Sequence, residues 1–199
     1  MTVSSRSGRL RSEAYFDAAF AILAEDGPSG LTIAALCDRL GVTKGSFYHH
    51  FDDMAGFVTL LLDHWRSEHA TRLIALSESI ADPSERYDLL EGIAVGLPHG
   101  TEAAIRAWSW SDDDVAAAQH AVDQDRLVHL TRSGMAAGRD PHEAELLARI
   151  SLSVLIGLQQ LERPVRPGTF EEVFAELRTW VEPGAAPGST VRPRAEVTS

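Results

Sequence analysis

Residues 32–51 read TIAALCDRLGVTKGSFYHHF, and this stretch decides the fold. Thr32 has the side chain of a helix N-cap. After it, Ile33, Leu36, Cys37 and Leu40 recur at the spacing of one helix face. Gly41 follows as a stop, because glycine takes a left-handed backbone without steric cost. Thr43 caps a second, short helix with Phe47 and Phe51 on its inner side. Two helices crossing steeply need a small residue where they touch, and Cys37 supplies it. Val42 and Phe47 are expected to plug the angle between them. The pattern is a helix-turn-helix. The outward positions of its second helix are Thr43, Lys44, Gly45, Ser46, Tyr48 and His49, donors and small side chains suited to a nucleic-acid groove. A helical hairpin inside an ordinary bundle is the plainer reading of the same spacing.

Helical periodicity continues on both sides. Upstream, Phe16, Ala19, Phe20 and Leu23 share one face, and Asp26-Gly27-Pro28 ends that helix. Downstream, Asp52 or Asp53 caps a long fourth helix carrying Phe57, Leu60, Leu61 and Trp65 toward Ile80. Asp82-Pro83 opens a fifth, with proline at its first position. A short helix from Thr101 to Trp110 comes next, then one capped by Ser111-Asp112 and ending near Gly138. Asp140-Pro141 opens a helix to about Leu161, and a last one spans Thr169 to Val181. No stretch alternates as a strand would. The expectation is an all-α chain of about nine helices. A flexible arm at 1–9 precedes the three-helix helix-turn-helix domain at 10–51, and a larger helical domain at 52–181 leads into a disordered Pro/Gly-rich tail at 182–199.

Charge separates the two domains. The 199 residues hold 18 basic and 29 acidic side chains, a net charge of −11. Residues 1–51 carry five of each sign, so residues 52–199 carry the whole excess, with 13 basic and 24 acidic groups. Only the N-terminal quarter can approach a polyanion without strong repulsion. The single cysteine, Cys37, excludes an internal disulfide and a multi-cysteine metal site. No segment is read as the roughly 18–20 apolar residues that span a bilayer. The longest uncharged stretch, Ile150 to Leu161, is interrupted by Ser151, Ser153, Gln159 and Gln160. The N-terminus lacks the apolar core of a secretory signal. A cytoplasmic protein with no membrane partner is expected. Neither a Gly-rich phosphate loop nor a nucleophile elbow is present, so no enzyme and no cofactor are expected.

Leu31–Leu36 (LTIAAL) and Gly41–Phe51 (GVTKGSFYHHF) resemble the second-helix opening and the recognition helix of TetR-family transcriptional repressors. The first helix, with its Phe16/Ala19/Phe20/Leu23 face, fits as well, so the resemblance covers about residues 10–65. It implies a homodimer on a near-palindromic DNA operator. It also implies that the 52–181 domain binds a small-molecule effector, then releases the DNA. Carried over by position, Thr32 and Thr43 contact phosphates at helix starts. Lys44 and Ser46 face the groove, and Gly45 lets the backbone approach. Tyr48 takes a phosphate, with His49 beside it. Plain capping by the two threonines and packing of Tyr48 against the first helix are the structural alternatives. The chain departs from the family after the recognition helix, where Asp52-Asp53-Met54 stands in place of a basic residue, a phosphate contact that Arg9 and Arg11 would have to replace.

In the second domain, Trp65 and His69 lie one helical turn apart, and Trp108 and His129 add to an aromatic-polar stock suited to a small apolar, aromatic or cationic effector. Core filling is the alternative for each. Ile150–Leu158 is apolar all round, so it is expected to be covered on two sides. With the last helix it would form the dimer interface, through Leu155, Leu158, Phe174 and Leu177. A push on the fourth helix is the expected route from effector to recognition helix. Two other readings stay open: a DNA-binding regulator controlled by a protein partner instead of a ligand, and a helical-bundle enzyme or metal carrier using His64, Glu68 and His69. No metal is expected at that trio, which lacks a paired-histidine spacing.

Overall fold

The computed structural model describes residues 3–68, 72–161 and 166–181. Among them are ten helices and no strand: α1 (Val3–Asp26), α2 (Ile33–Leu40), α3 (Lys44–His50), α4 (Met54–Arg66), α5 (Arg72–Glu78), α6 (Pro83–Val95), α7 (His99–Trp108), α8 (Asp113–Ala136), α9 (Pro141–Leu161) and α10 (Pro167–Val181). The all-α architecture is as expected, with the helix-turn-helix at the front. The tenth helix arises because the helix expected from Asp53 toward Ile80 is divided into α4 and α5: Ser67 and Glu68 wind as a π turn after Arg66, and residues 69–71 lie outside the described residues. At the other end, α1 continues back to Val3 through the segment expected to be an arm. The tail at 182–199 lies outside the described residues.

Local chemistry sets the helix ends. Thr32 Oγ1 accepts from the Ala35 N–H at 3.1 Å, Thr43 Oγ1 from Ser46 at 3.3 Å, and Asp53 Oδ1 from Gly56 at 2.7 Å. Asp112 Oδ1 accepts from both Asp114 and Val115 at 3.1 Å. Each satisfies backbone donors that a helix start leaves without partners. Gly41 ends α2 at φ 66°, the left-handed conformation required there.

Two apolar clusters form. The first joins α1, α2, α3 and α4 to α7 and the front of α8. The second lies among α6, α9 and α10. Helix α9 corrects one expectation: by length and composition it could cross a membrane. In the fold, its stripe of Ala144, Ala148, Leu152, Leu155 and Gln159 is buried against its neighbours. Its opposite side carries Leu146, Ile150 and Leu161, which stay exposed.

Candidate nucleic-acid interface and effector cavity

Helix α3 is held by aromatic rings. Phe47, fully buried, meets Tyr15 of α1 edge-on at 5.9 Å and Phe57 of α4 at 5.5 Å. Phe51 joins the same cluster, 5.3 Å from Tyr15 and 4.8 Å from Phe57. Of the two expected plugs, Val42 is 37% exposed, whereas Phe47 is fully buried against Tyr15 and Phe57. Tyr15 went unseen because it sits one position off the Phe16/Ala19/Phe20/Leu23 stripe. A second stripe, Tyr15–Ala19–Ile22, runs beside the first and is buried, as is the first apart from half-buried Phe20.

With its inner side fixed, α3 presents Thr43, Lys44, Gly45, Tyr48 and His49 outward, and Thr32 is exposed at the start of α2. Tyr48 is 55% exposed and touches Phe47 edge-on, so it is not buried against α1. Ser46 is half-buried, and its Oγ accepts from the Tyr15 hydroxyl at 3.2 Å. A Cβ on Gly45 would meet only Thr43 Oγ1 at 3.6 Å, so packing within the chain does not require glycine there. Arg39 is engaged: its guanidinium binds the Glu25 carboxylate and holds that group below its ordinary pKa. This pair ties α2 to the end of α1 and removes one cation from the outward face.

The body contains an apolar cavity of about 140 Å³. Its walls are Ile74 from α5; Tyr87, Leu90, Glu91, Ile93 and Ala94 from α6; Leu97; Arg126, His129 and Leu130 from α8; Ser151, Leu152 and Leu155 from α9; and Phe174, Leu177 and Arg178 from α10. Of the four side chains expected at an effector, His129 lines it. Trp65 does not: it is fully buried in the first cluster. Trp108 packs against that same cluster, and Trp110 is 88% exposed. His69 lies outside the described residues. Leu155, Phe174 and Leu177, expected at a dimer interface, face this cavity, and half-buried Leu158 packs on the second cluster. Three of the four thus turn inward within the single chain. An all-round apolar helix gives no sign of which stripe turns inward.

The cavity's polar groups are bonded into the frame. Arg126 donates through both terminal nitrogens to the Glu102 carboxylate of α7, each at 2.8 Å. Burial opposes its charge, but the carboxylate outweighs that and raises its pKa. Next to Glu102, Thr101 donates to the Phe20 carbonyl of α1 at 3.2 Å. Helix α8 also grips α7 through Arg106–Asp123 at 2.8 Å, and α4 through Arg66–Asp125 at 2.9 Å. Ser77 Oγ lies 2.9 Å from the Ile74 carbonyl and shares a 2.5 Å hydrogen bond with His129 Nε2, and the Glu78 carboxylate stands 3.7 Å from His129 Nδ1. Burial pushes the His129 imidazole below its ordinary value. His64 stacks on Phe16 at 4.9 Å, and among the described residues no three metal-ligating side chains gather.

The family model for bacterial regulatory proteins of the tetR family matches residues 16–60. No curated protein matches the chain significantly. Solved structures do match over most of their length. A TetR-family transcriptional regulator from Agrobacterium tumefaciens is 20% identical, with TM-score 0.72, covering 86% of this chain and 97% of that one. A transcriptional regulator from Rhodococcus sp. Rha1 is 18% identical, with TM-score 0.70, covering 85% and 95%. A regulator described as putative, from Saccharomonospora viridis and in complex with choline, is 18% identical, with TM-score 0.65, covering 84% and 95%. At these identities the likeness is one of fold, and it extends through the body as well as the helix-turn-helix.

Proposed function

Since the chain is a DNA-binding transcriptional regulator of the TetR family, we propose that it represses transcription from a near-palindromic operator as a homodimer and releases the DNA when a small molecule fills the body cavity. The observation that carries this reading is the wall of that cavity. Arg126 lines it and grips α7 through Glu102, while α7 is bonded to α1 through Thr101 and α8 is bonded to α4 through Asp125. An occupant that shifts α8 therefore pulls on both supports of the DNA-reading head. The route through α4 is accompanied by a second one through α7. Gly100 lies so close to Ala24 of α1 that a Cβ there would sit 3.3 Å from the Ala24 Cβ, so a tilt of α7 is transmitted sterically too.

On the DNA side, Lys44 reads the groove and Tyr48 takes a phosphate. Thr32 and Thr43 place helix N-termini against the backbone. Gly45 permits close approach, and His49 flanks the contact. Ser46 supports the helix through Tyr15. The dimer face is the outer stripe of α9, Leu146, Ile150 and Leu161, in place of the inward residues. The regulator acts in the cytoplasm and carries out no catalysis. The choline complex of the Saccharomonospora viridis regulator lends weight to a small-molecule occupant of this fold.

Release requires that the effector bind the DNA-free conformation more tightly, since equal affinity would shift nothing. The test is fluorescence anisotropy on DNA flanking the gene, with a library of small molecules screened in parallel by melting temperature. An effector at 100 times its dissociation constant adds about 2.7 kcal/mol of stability. Compounds that raise the melting temperature must release DNA. Stabilisers that never release it would leave the protein as a regulator controlled by a protein partner.

A further inference from the structure

We propose that the cavity takes an uncharged, largely apolar molecule bearing one hydroxyl or carbonyl oxygen, and that this oxygen enters a recess beside Ser133. The inference rests on the effector reading above and adds the chemical class.

Charge comes first. The charged side chains on the cavity wall are Arg126, Glu91 and Arg178. Each already has an opposite charge: Arg126 has Glu102, and Arg178 has Asp88 and, at 3.8 Å, Glu91. A charged ligand would lose its water and gain no unshared counter-charge, the costly form of burial. The His129 imidazole is pushed below its ordinary value by burial, so it adds no cation at neutral pH. A quaternary ammonium needs an aromatic cage on several sides; the cavity wall offers two rings, Tyr87 and Phe174, while Trp65 and Trp108 stand in the other core.

The recess supplies the polar contact. It holds about 20 Å³ and shares Tyr87, Leu90, Leu130 and Ser151 with the main cavity. A water-sized group needs about 10–15 Å³ of such space, so the recess takes one oxygen and little more. Ser133 lines it, is 5% exposed, and its Oγ has no hydrogen-bond partner among the described residues. A buried hydroxyl without a partner is disfavoured, and a ligand oxygen bonded to it removes that penalty. The recess is narrow because Gly134 lets α8 approach α9, where an added Cβ would lie 3.1 Å from the Ala144 Cβ. The main cavity has room for on the order of ten water-sized groups, the size of a chain of eight or so carbons.

The experiment compares three probes with one chain and different heads: 1-octanol, octanoate and octylammonium. Calorimetry on the intact protein is expected to give octanol at least tenfold tighter binding than either ion. Ser133→Ala removes only an unpartnered hydroxyl and should leave the fold intact, while weakening octanol by about five- to tenfold. Equal or tighter binding of either ion, no binding of any probe, or an octanol affinity indifferent to Ser133→Ala overturns the proposal. DNA release is followed in the same titrations. Octanol binding without release removes the effector reading and leaves the ligand class standing. Release driven equally by all three removes the ligand class and leaves the effector reading.

Discussion

The two apolar cores use the same kinds of residue and end in opposite states. Beneath the DNA-reading head, Phe47, Phe57, Trp65 and Ile105 are all 0% exposed, and ring meets ring across α1, α3 and α4. In the body, Phe170 is as fully buried, but Leu97, Leu155, Phe174 and Leu177 border a space of about 140 Å³. Close packing fixes a recognition helix in one orientation, whereas incomplete packing leaves room for an occupant and for two arrangements of the walls. The hydrogen bonds differ in the same sense. Head bonds are mostly local caps. Body bonds cross between helices and connect the cavity to α1 and α4.

The largest effect expected belongs to the head. With roughly 6–10 phosphate contacts per dimer, DNA affinity should fall about 10³–10⁵-fold between 50 and 200 mM salt. A flat response in a filter or anisotropy assay would remove the head as a DNA reader.

Next comes the contrast between the cores themselves. Phe57→Ala should cost about 3–5 kcal/mol in chemical denaturation, because it opens a void in a sealed ring cluster. Phe174→Ala should cost less than about 3 kcal/mol, since part of that ring already faces empty space. Equal costs would mean that the body core is closed in solution.

Acid should act on the body. His99 stacks on Phe170 at 3.8 Å, its Nε2–H donates to the Val95 carbonyl at 3.0 Å, and its Nδ1 accepts from Gln159 at 3.3 Å. Burial pushes both His99 and His129 below the ordinary imidazole value of 6.5. The unfolded chain then binds more protons in this window. Stability is therefore full above pH 6.5 and declines as pH falls below it, by at most about 1.4 kcal/mol per pH unit for each histidine. Denaturation midpoints at pH 7.5 and 5.5 should differ in wild type and differ less in His99→Gln. Identical pH dependence in the two proteins would place the acid sensitivity elsewhere.

The smallest effect on the fold, and an informative one, is Gly45→Ala. Stability should hold or rise by up to about 1 kcal/mol, as for alanine over glycine inside a helix, while DNA affinity drops. If affinity is unchanged, the backbone of α3 does not approach DNA closely at that point.

The head was legible in the sequence because its signals are local. Thr32, Gly41, Thr43 and Asp53 act within a few residues of themselves, and one helix face suffices to identify Phe47 and Phe51 as inward. Tyr15 escaped because a second buried stripe beside a first looks like noise. The body was legible as helices and less so as a site. Periodicity says that α9 is apolar all round but not that Leu155 turns to a cavity and Ile150 to the surface, since that depends on where α8 and α10 lie. Trp65 and His129 are far apart in sequence and belong to different cores. Aromatic content alone does not distinguish a wall from a filling.

The most direct measurement of the central claim, that the outward face of α3 reads DNA while the sealed core only holds it, is the affinity of Lys44→Ala for DNA flanking the gene, with its melting temperature taken on the same preparation. The account predicts an affinity loss of roughly tenfold or more at an unchanged melting temperature. An unchanged affinity would contradict it.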